Sequence, residues 1–326
     1  ALAASGAAAD VTLALSIAGW RAAAAQAGEA LHRRVAAAAG TTPAMPHPLV
    51  NVFSGGVHAA PRPDSFQQLM AVPCRATFAA DAEAALAVWA EAERRLAGRG
   101  AAWTLSASSG MLVEGATSEE LLAELHAVVS PHERVGTGAD VAAEHLAAGP
   151  GLYRLDGRTL AGPELLDLLD RLCAERELVF LEDPFAPEDE ELWRELTERL
   201  AGRTAVVGDD LFATDAARMD RALATAVLLK PSQAGTVAAT LDAARAALDA
   251  GIDLCVSHRS GETEDTFVCD LAVGLGALAQ KVGGPRRGDR IAKYNQLLRL
   301  AEEGGLAPSA AAVAPGRRPL TAVEDT

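Results

Sequence analysis

Lysine and asparagine are nearly missing from this chain. Of 29 basic residues only three are lysines (Lys230, Lys281 and Lys293), and asparagine is limited to Asn51 and Asn295. A GC-rich coding bias that swaps Lys for Arg accounts for the scarcity and makes the survivors informative. A guanidinium is permanently protonated, whereas a buried ammonium can release its proton near neutral pH. Aromatic residues are scarce too, at 4%, so a core must be assembled from the Ala, Leu and Val of a 50% apolar composition. That apolar share supports a sizeable core and rules out a disordered chain. No apolar run of eighteen residues is free of charge, which excludes a membrane-spanning helix. A net charge of −15 leaves no basic surplus to displace counterions from phosphates and argues against a nucleic-acid partner. Four scattered cysteines (Cys74, Cys173, Cys255 and Cys269) lack C-x-x-C spacing, which fits a reducing cytoplasm and neither zinc nor a disulfide framework. No basic stretch leads into an apolar one at the start, so no signal peptide is expected.

The 326 residues suit two domains or one large barrel with an appendage. Residues 1–40 carry an Ala-rich helical pattern without an initiator methionine and read as the tail of a domain whose front is missing. A Pro-punctuated linker follows at Thr41 to Pro48, then an apolar run, Leu49 to Phe53, and a helical stretch from Asp81 to Leu96. From Leu178 onward short apolar runs alternate with amphipathic helical stretches: Leu178–Leu181, Ala205–Val207, Ala226–Leu229, Leu254–Val256 and Ala277–Ala279. Each run is followed closely by a charged residue or histidine, namely Glu182, Asp209, Lys230, His258 and Lys281, at steps of 27, 21, 28 and 23 residues. Such steps are the length of one strand-helix unit and predict a parallel sheet. Five polar residues at successive strand ends converge on one mouth if the sheet closes, so the expected fold is α/β, a (β/α) TIM-like barrel spanning 41–305. The 306–326 segment is expected to be a loose tail.

Asp140, Glu182 and Asp209 are three carboxylates on separate runs, an oxygen-only set suited to Mg²⁺. Beside two rare lysines they suit an anionic substrate held by a dication, with a lysine acting on a carbon acid. His258, Arg259 and Ser260 add donors of the kind a phosphate needs. Gly274-Leu-Gly-Ala-Leu-Ala279 matches a dinucleotide-binding pattern, but it follows a helix and precedes a strand, the reverse of that motif's order, so no nucleotide cofactor is expected.

Six segments carry a resemblance: Phe180-Leu-Glu-Asp-Pro-Phe185, Val207-Gly-Asp-Asp-Leu-Phe212, Leu228-Leu-Lys-Pro-Ser-Gln233, Ser257-His-Arg-Ser-Gly-Glu-Thr-Glu-Asp265, Gln280-Lys-Val-Gly-Gly-Pro285 and Ala292-Lys-Tyr-Asn-Gln-Leu-Leu-Arg299. Together they resemble the enolases over nearly the whole chain up to about Gly305. Residues 1–40 resemble only the final helices of that family's N-terminal capping domain. The front of that domain, with a mobile loop whose serine closes over the metal, is expected to be absent. The resemblance implies a cytoplasmic Mg²⁺-dependent lyase that removes a proton beside the carboxylate of 2-phosphoglycerate and expels the neighbouring hydroxyl to give phosphoenolpyruvate. It implies Asp140, Glu182 and Asp209 as metal ligands, Lys230 as general base and Lys281 as the lysine that stabilises the substrate carboxylate. His58, Gln67, His258, Arg259 and Ser260 correspond to substrate-binding positions, the last two on phosphate. The expected partners are a small anionic phosphorylated carboxylate and further copies of the chain, in a homodimer or larger homo-oligomer, with neither nucleic acid nor membrane.

Two positions depart from the family pattern. Where enolases carry a glutamate in Q-E-F-M, this chain reads Gln67-Gln68-Leu69-Met70. Where they carry a second in G-D-E-G-G, the matching stretch is Ala107-Ser108-Ser109-Gly110-Met111, with Glu114 five residues past Ser109. Neither Gln68 nor Ser109 is a proton donor of suitable pKa for a departing hydroxyl. Three readings follow: an enolase of reduced activity, a paralogue acting on a phosphonate or phosphorylated carboxylate in the manner of carboxyphosphonoenolpyruvate synthases, or a non-catalytic Mg²⁺ and phospho-ligand binding protein. Retention of both lysines weighs against the last.

Overall fold

The structure, a computed structural model, describes residues 9–58 and 63–309. Eight strands close into a barrel: β1 (His47–Ser54), β2 (Gln68–Pro73), β3 (Val135–Asp140), β4 (Leu178–Glu182), β5 (Ala205–Gly208), β6 (Ala226–Leu229), β7 (Asp253–Ser257) and β8 (Ala279–Lys281). Neighbours pair in chain order, and β8 returns to β1 in parallel register, Pro48 opposite Gln280. Seven strands run one way. β2 runs against both β1 and β3, because no helix separates it from β1 and a short connection can join only antiparallel neighbours.

Around this cylinder lie α3 (Phe78–Gly98), α4 (Ser118–Val129), α5 (Gly162–Glu175), α6 (Glu190–Arg199), α7 (Val237–Asp249), α8 (Phe267–Gly274) and α9 (Gly288–Glu302). Three of the helix starts are capped by threonine: Thr77 accepts from Ala80 N–H, Thr236 accepts from Ala239 N–H before α7, and Thr117 forms a reciprocal box with Glu120 before α4. Two further helices precede the barrel: α1 (Ala9–Ala27) and α2 (Leu31–Ala39). They dock on its outer wall, where α2 sits so close that a Cβ on Gly274 would lie 2.5 Å from His32 O and 2.7 Å from Val35 Cβ. Met45, ahead of β1, bridges Pro308, and Ser309 N–H donates to Met45 O at 2.8 Å. Residues 310–326, within the predicted tail, lie outside the described residues.

The observed strands at Ala226–Leu229 and Leu178–Glu182 follow the sequence reading closely. β8 lies two residues later than predicted, because Ala277 and Leu278 are spent packing into the apolar layers before the ladder begins. Lys281 is therefore the last strand residue instead of lying two residues past the strand. Two features had no counterpart in the sequence reading. One is a hairpin (Trp103–Leu105 with Met111–Val113) attached to β1 through Phe53 and Met111. The other is a small three-stranded sheet over residues 147–161, tied down by the Tyr153 hydroxyl, which donates to Asp189 and accepts from Ala186 N–H.

Side chains alternate along a strand, so each barrel strand faces two cores. The lumen holds Leu49, Met70, Val72, Phe180, Val207, Leu228, Cys255 and Ala279, while the outward faces pack against the helices. Phe180 is fully buried and is the largest side chain in the lumen set. Phe180→Ala should cost about 3–5 kcal/mol in urea unfolding, as expected for emptying a packed aromatic site. Leu86→Ala, at a position 55% exposed, should stay within about 0.5 kcal/mol.

Candidate active site

The same alternation builds the polar end of the lumen. Moving two residues toward the mouth from Phe180, Val207, Leu228, Cys255 and Ala279 gives Glu182, Asp209, Lys230, Ser257 and Lys281. On the reversed strand β2 the corresponding step runs backward, from Met70 to Gln68. Asp140 enters the layer by register, opposite Glu182 on one side and Gln68 on the other. These residues occupy the C-terminal ends of the parallel strands, where barrels of this class carry their chemistry.

Lys281 is buried, and its Nζ donates to Asp140 Oδ2 and to both oxygens of Glu182, each at 2.8 Å. Lys230 Nζ pairs with Asp209 Oδ2 across the neighbouring strands. Gln67 Nε2 donates to Asp140 Oδ2 at 3.3 Å. Burial and the adjacent Asp140 charge push the Glu182 carboxyl up to about 8, against the pull of Lys281. Burial works against the Lys281 ammonium, but Asp140 and Glu182 hold it above the ordinary lysine range. His258 is driven well below the usual imidazole range by burial and then by the Arg290, Lys281 and Lys230 charges, so its ring is neutral.

A pocket of about 220 Å³ opens onto this layer, lined by Gln67, Gln68, Asp209, Lys230, His258, Arg259, Ser260 and Lys281 among others. Nine of the ten residues predicted for the site thus come together, with Asp140 and Glu182 beneath Lys281 as the floor. The tenth, His58, ends the short turn Gly56–His58, and its side chain lies outside the described residues. Arg259 is exposed at the rim, its guanidinium donating to Ser232 Oγ at 2.6 Å.

The carboxylates fall into two groups. Asp140 and Glu182 share the Lys281 ammonium. Asp209 belongs to a second cluster with Asp183 and Asp210, whose oxygens lie within 4.8 Å of one another. Asp183 takes a left-handed backbone, φ 41°, and its carboxylate accepts from the Asp209 and Asp210 amides at 2.8 and 2.9 Å. Burial and the Asp209 charge raise Asp183 well above the usual carboxylate range. Asp209 Oδ1 is buried with no hydrogen-bond partner among the described residues. Asp183 and Asp210 escaped the sequence reading, as did His145 on the pocket wall. The acidic pair could have been found from Glu182-Asp183 and Asp209-Asp210, where each strand-end acid is followed by a second.

The two departing positions differ in placement. Gln68 is buried in the pocket lining, its Oε1 without a partner among the described residues. Ser109 is fully buried at φ 63° in the hairpin loop and does not line the pocket. Glu114 is exposed beyond the far end of the hairpin and does not line the pocket.

A closed barrel with paired lysines and carboxylates at its C-terminal mouth defines a TIM-barrel protein whose polar cluster lies at the end where such barrels carry their chemistry. The enolase C-terminal TIM barrel domain family model matches residues 42–314, and the chain belongs to the enolase family. It is 39% identical over 268 residues to the enolase of Acidothermus cellulolyticus, covering 79% of this chain and 62% of that one. It is 39% identical over 303 residues to the enolase of Aeropyrum pernix (89% and 69% covered) and 38% over 320 residues to that of Rubrobacter xylanophilus (94% and 73%). The chain therefore spans about two thirds of the length of these relatives.

Lys281→Met strips the shared cation from two buried carboxylates and should cost about 3–5 kcal/mol at pH 8. The loss should shrink toward pH 5, since the stranded carboxylates regain neutrality by taking up protons as pH falls. Urea unfolding of both proteins at the two pH values checks the sign.

Proposed function

We propose that the chain performs enolase-type chemistry: it removes the proton beside the carboxylate of 2-phosphoglycerate and releases phosphoenolpyruvate, in a reducing cytoplasm and as a homo-oligomer. The observation that best supports this is the meeting of Lys230 and Lys281 with Asp140, Glu182 and Asp209 in one pocket of a chain with three lysines in all.

The donor set fits Mg²⁺. It is oxygen-only, it includes Asp209 Oδ1, which has no partner among the described residues, and Glu182 is a carboxyl whose proton affinity is raised by burial and the Asp140 charge, so that its ionised form gains from a dication nearby. Asp140, Glu182 and Asp209 would hold the ion, whose charge, when bound, stabilises an enolate. Lys230, once released from Asp209 and having given one Nζ proton to water, takes the C2 proton on the neutral amine. Lys281 offsets the charge that develops on the substrate carboxylate. Arg259 and Ser260 hold the phosphate, Arg259 with a planar fork matched to it. Gln68 can orient the departing hydroxyl but cannot protonate it, so the proton that leaves with it comes from water at the mouth. Lack of a positioned acid slows that step by roughly 10²–10⁴-fold.

The test incubates the full-length gene product with Mg²⁺ and 2-phosphoglycerate in D₂O, following C2 exchange by NMR and phosphoenolpyruvate by ultraviolet absorbance. Exchange should outpace product formation, and Lys230→Ala should reduce both by at least about 10²-fold. Absence of both signals from the wild-type protein refutes the reading. Exchange with no product at all would instead mean that the leaving group of the true substrate is not hydroxide.

A further inference from the structure

Arg290, the third residue of α9, is fully buried, although nothing in its sequence context marks it as part of a site. Its Nη1 lies 2.7 Å from His258 Nδ1 and donates to Arg259 O at 2.9 Å; its Nη2 donates to Ala107 O and Ser260 O, both at 3.0 Å. A guanidinium has donors only, so His258 Nδ1 must be the acceptor and the ring proton must sit on Nε2. The ring is confined on its other side, where a Cβ on Gly283, at φ +82°, would lie 2.8 Å from His258 Cε1.

The charged groups around His258 are Arg290 from α9, Lys281 from β8 and Lys230 after β6. Asp289, whose Oδ2 is 3.4 Å from Arg290 Nε, and Glu262 face the guanidinium from the far side of the ring. The rest of the 258–265 loop is tied in the same manner. Lys293, also fully buried on α9, donates to Thr263 O, and Arg21 of α1 makes a two-pronged pair with Asp265 at 2.6 and 3.0 Å. Each of these cations holds a different point of the loop.

We infer that Arg290 is a positioning residue: it fixes His258 as the Nε2–H tautomer in the pocket wall and, by holding the Arg259 and Ser260 carbonyls, leaves their side chains free to face the substrate anion. This rests on the anion-binding role given above to Arg259 and Ser260. Arg290 touches no substrate atom; it acts through the three residues that do. Two of its four acceptors are backbone carbonyls within that trio, and the Ala107 carbonyl ties the same point to the hairpin loop. One guanidinium thus joins α9, the 258–260 segment and the 106–109 loop.

The decisive measurement needs no turnover. In ¹⁵N-histidine-labelled protein, two-bond ¹H–¹⁵N couplings at pH 7 should show His258 neutral with its proton on Nε2. An imidazolium, or an Nδ1–H tautomer, overturns the assignment outright, and the wild-type spectrum alone decides this. Arg290→Gln removes the obligate donor, so both tautomers should appear and the His258 titration midpoint should rise by about one pH unit or more. Affinity for inorganic phosphate, read by calorimetry, should fall about tenfold. Arg290→Lys should restore the single tautomer while recovering only part of the phosphate affinity, since one ammonium cannot reach all four acceptors. A folded Arg290→Gln protein with an unchanged tautomer and unchanged phosphate binding refutes the inference. The expected wild-type spectrum in a protein that fails to exchange the C2 proton would count against the enolase chemistry and leave Arg290's role standing.

Discussion

The Lys281 ammonium, enclosed between Asp140 and Glu182, is the constraint on which the mouth of this barrel depends. It joins the last strand to the third and fourth across the lumen, so that three separate parts of the chain are held to one charged point. The cost of placing two carboxylates at 1% exposure is offset only because a cation is placed there with them. Everything nearby follows from that choice. The carboxylates cannot both ionise freely, which raises Glu182. The cation beneath His258 helps to keep that ring neutral. The second lysine finds its partner on the adjacent acid, Asp209, instead of joining the same cluster.

Below that layer the barrel is conventional in its physics. An apolar plug centred on Phe180 fills the lumen, and a larger apolar shell joins the strands to the helices. The plug supplies the rigidity that strand-end side chains need if they are to be held within a fraction of an ångström. The parts that differ from the family pattern sit where the plug does not reach. Gln68 stands on the one reversed strand, and Ser109 on a hairpin loop attached to the barrel through the Phe53–Met111 pairing. The paired lysines and carboxylates are thus built into the strand ends, whereas the two departures lie on the reversed strand and on a loop attached to the barrel.

Much of this was legible in the sequence because strand alternation and the rarity of lysine both leave marks on a linear pattern. The runs before Glu182, Asp209, Lys230 and Lys281 are short and apolar, and their spacing is that of repeated strand-helix units. Where the pattern failed, the cause is physical. β2 carries no crossover helix to announce its direction, so Gln68 could be noticed but not placed. Asp183 and Asp210 read as ordinary loop acids until a left-handed turn at Asp183 brings its carboxylate under the Asp209 amide. Arg290 is one arginine among many, and only the fold reveals that it is sealed from solvent beside an imidazole. Lys293, the survivor that matched no catalytic position, proves to be a buried support for the loop that carries Arg259.

The distribution of lysine has a consequence outside catalysis. Lys281 and Lys293 are buried and Lys230 is only 16% exposed, so among the described residues the exposed, permanently cationic side chains are guanidinium groups. Reagents that couple to primary amines find no exposed lysine on the outer wall of the barrel. Any lysine they modify lies in the pocket or under the loop beside it. Acylation, cross-linking or immobilisation through these lysines would therefore first have to open the pocket or the loop beside it.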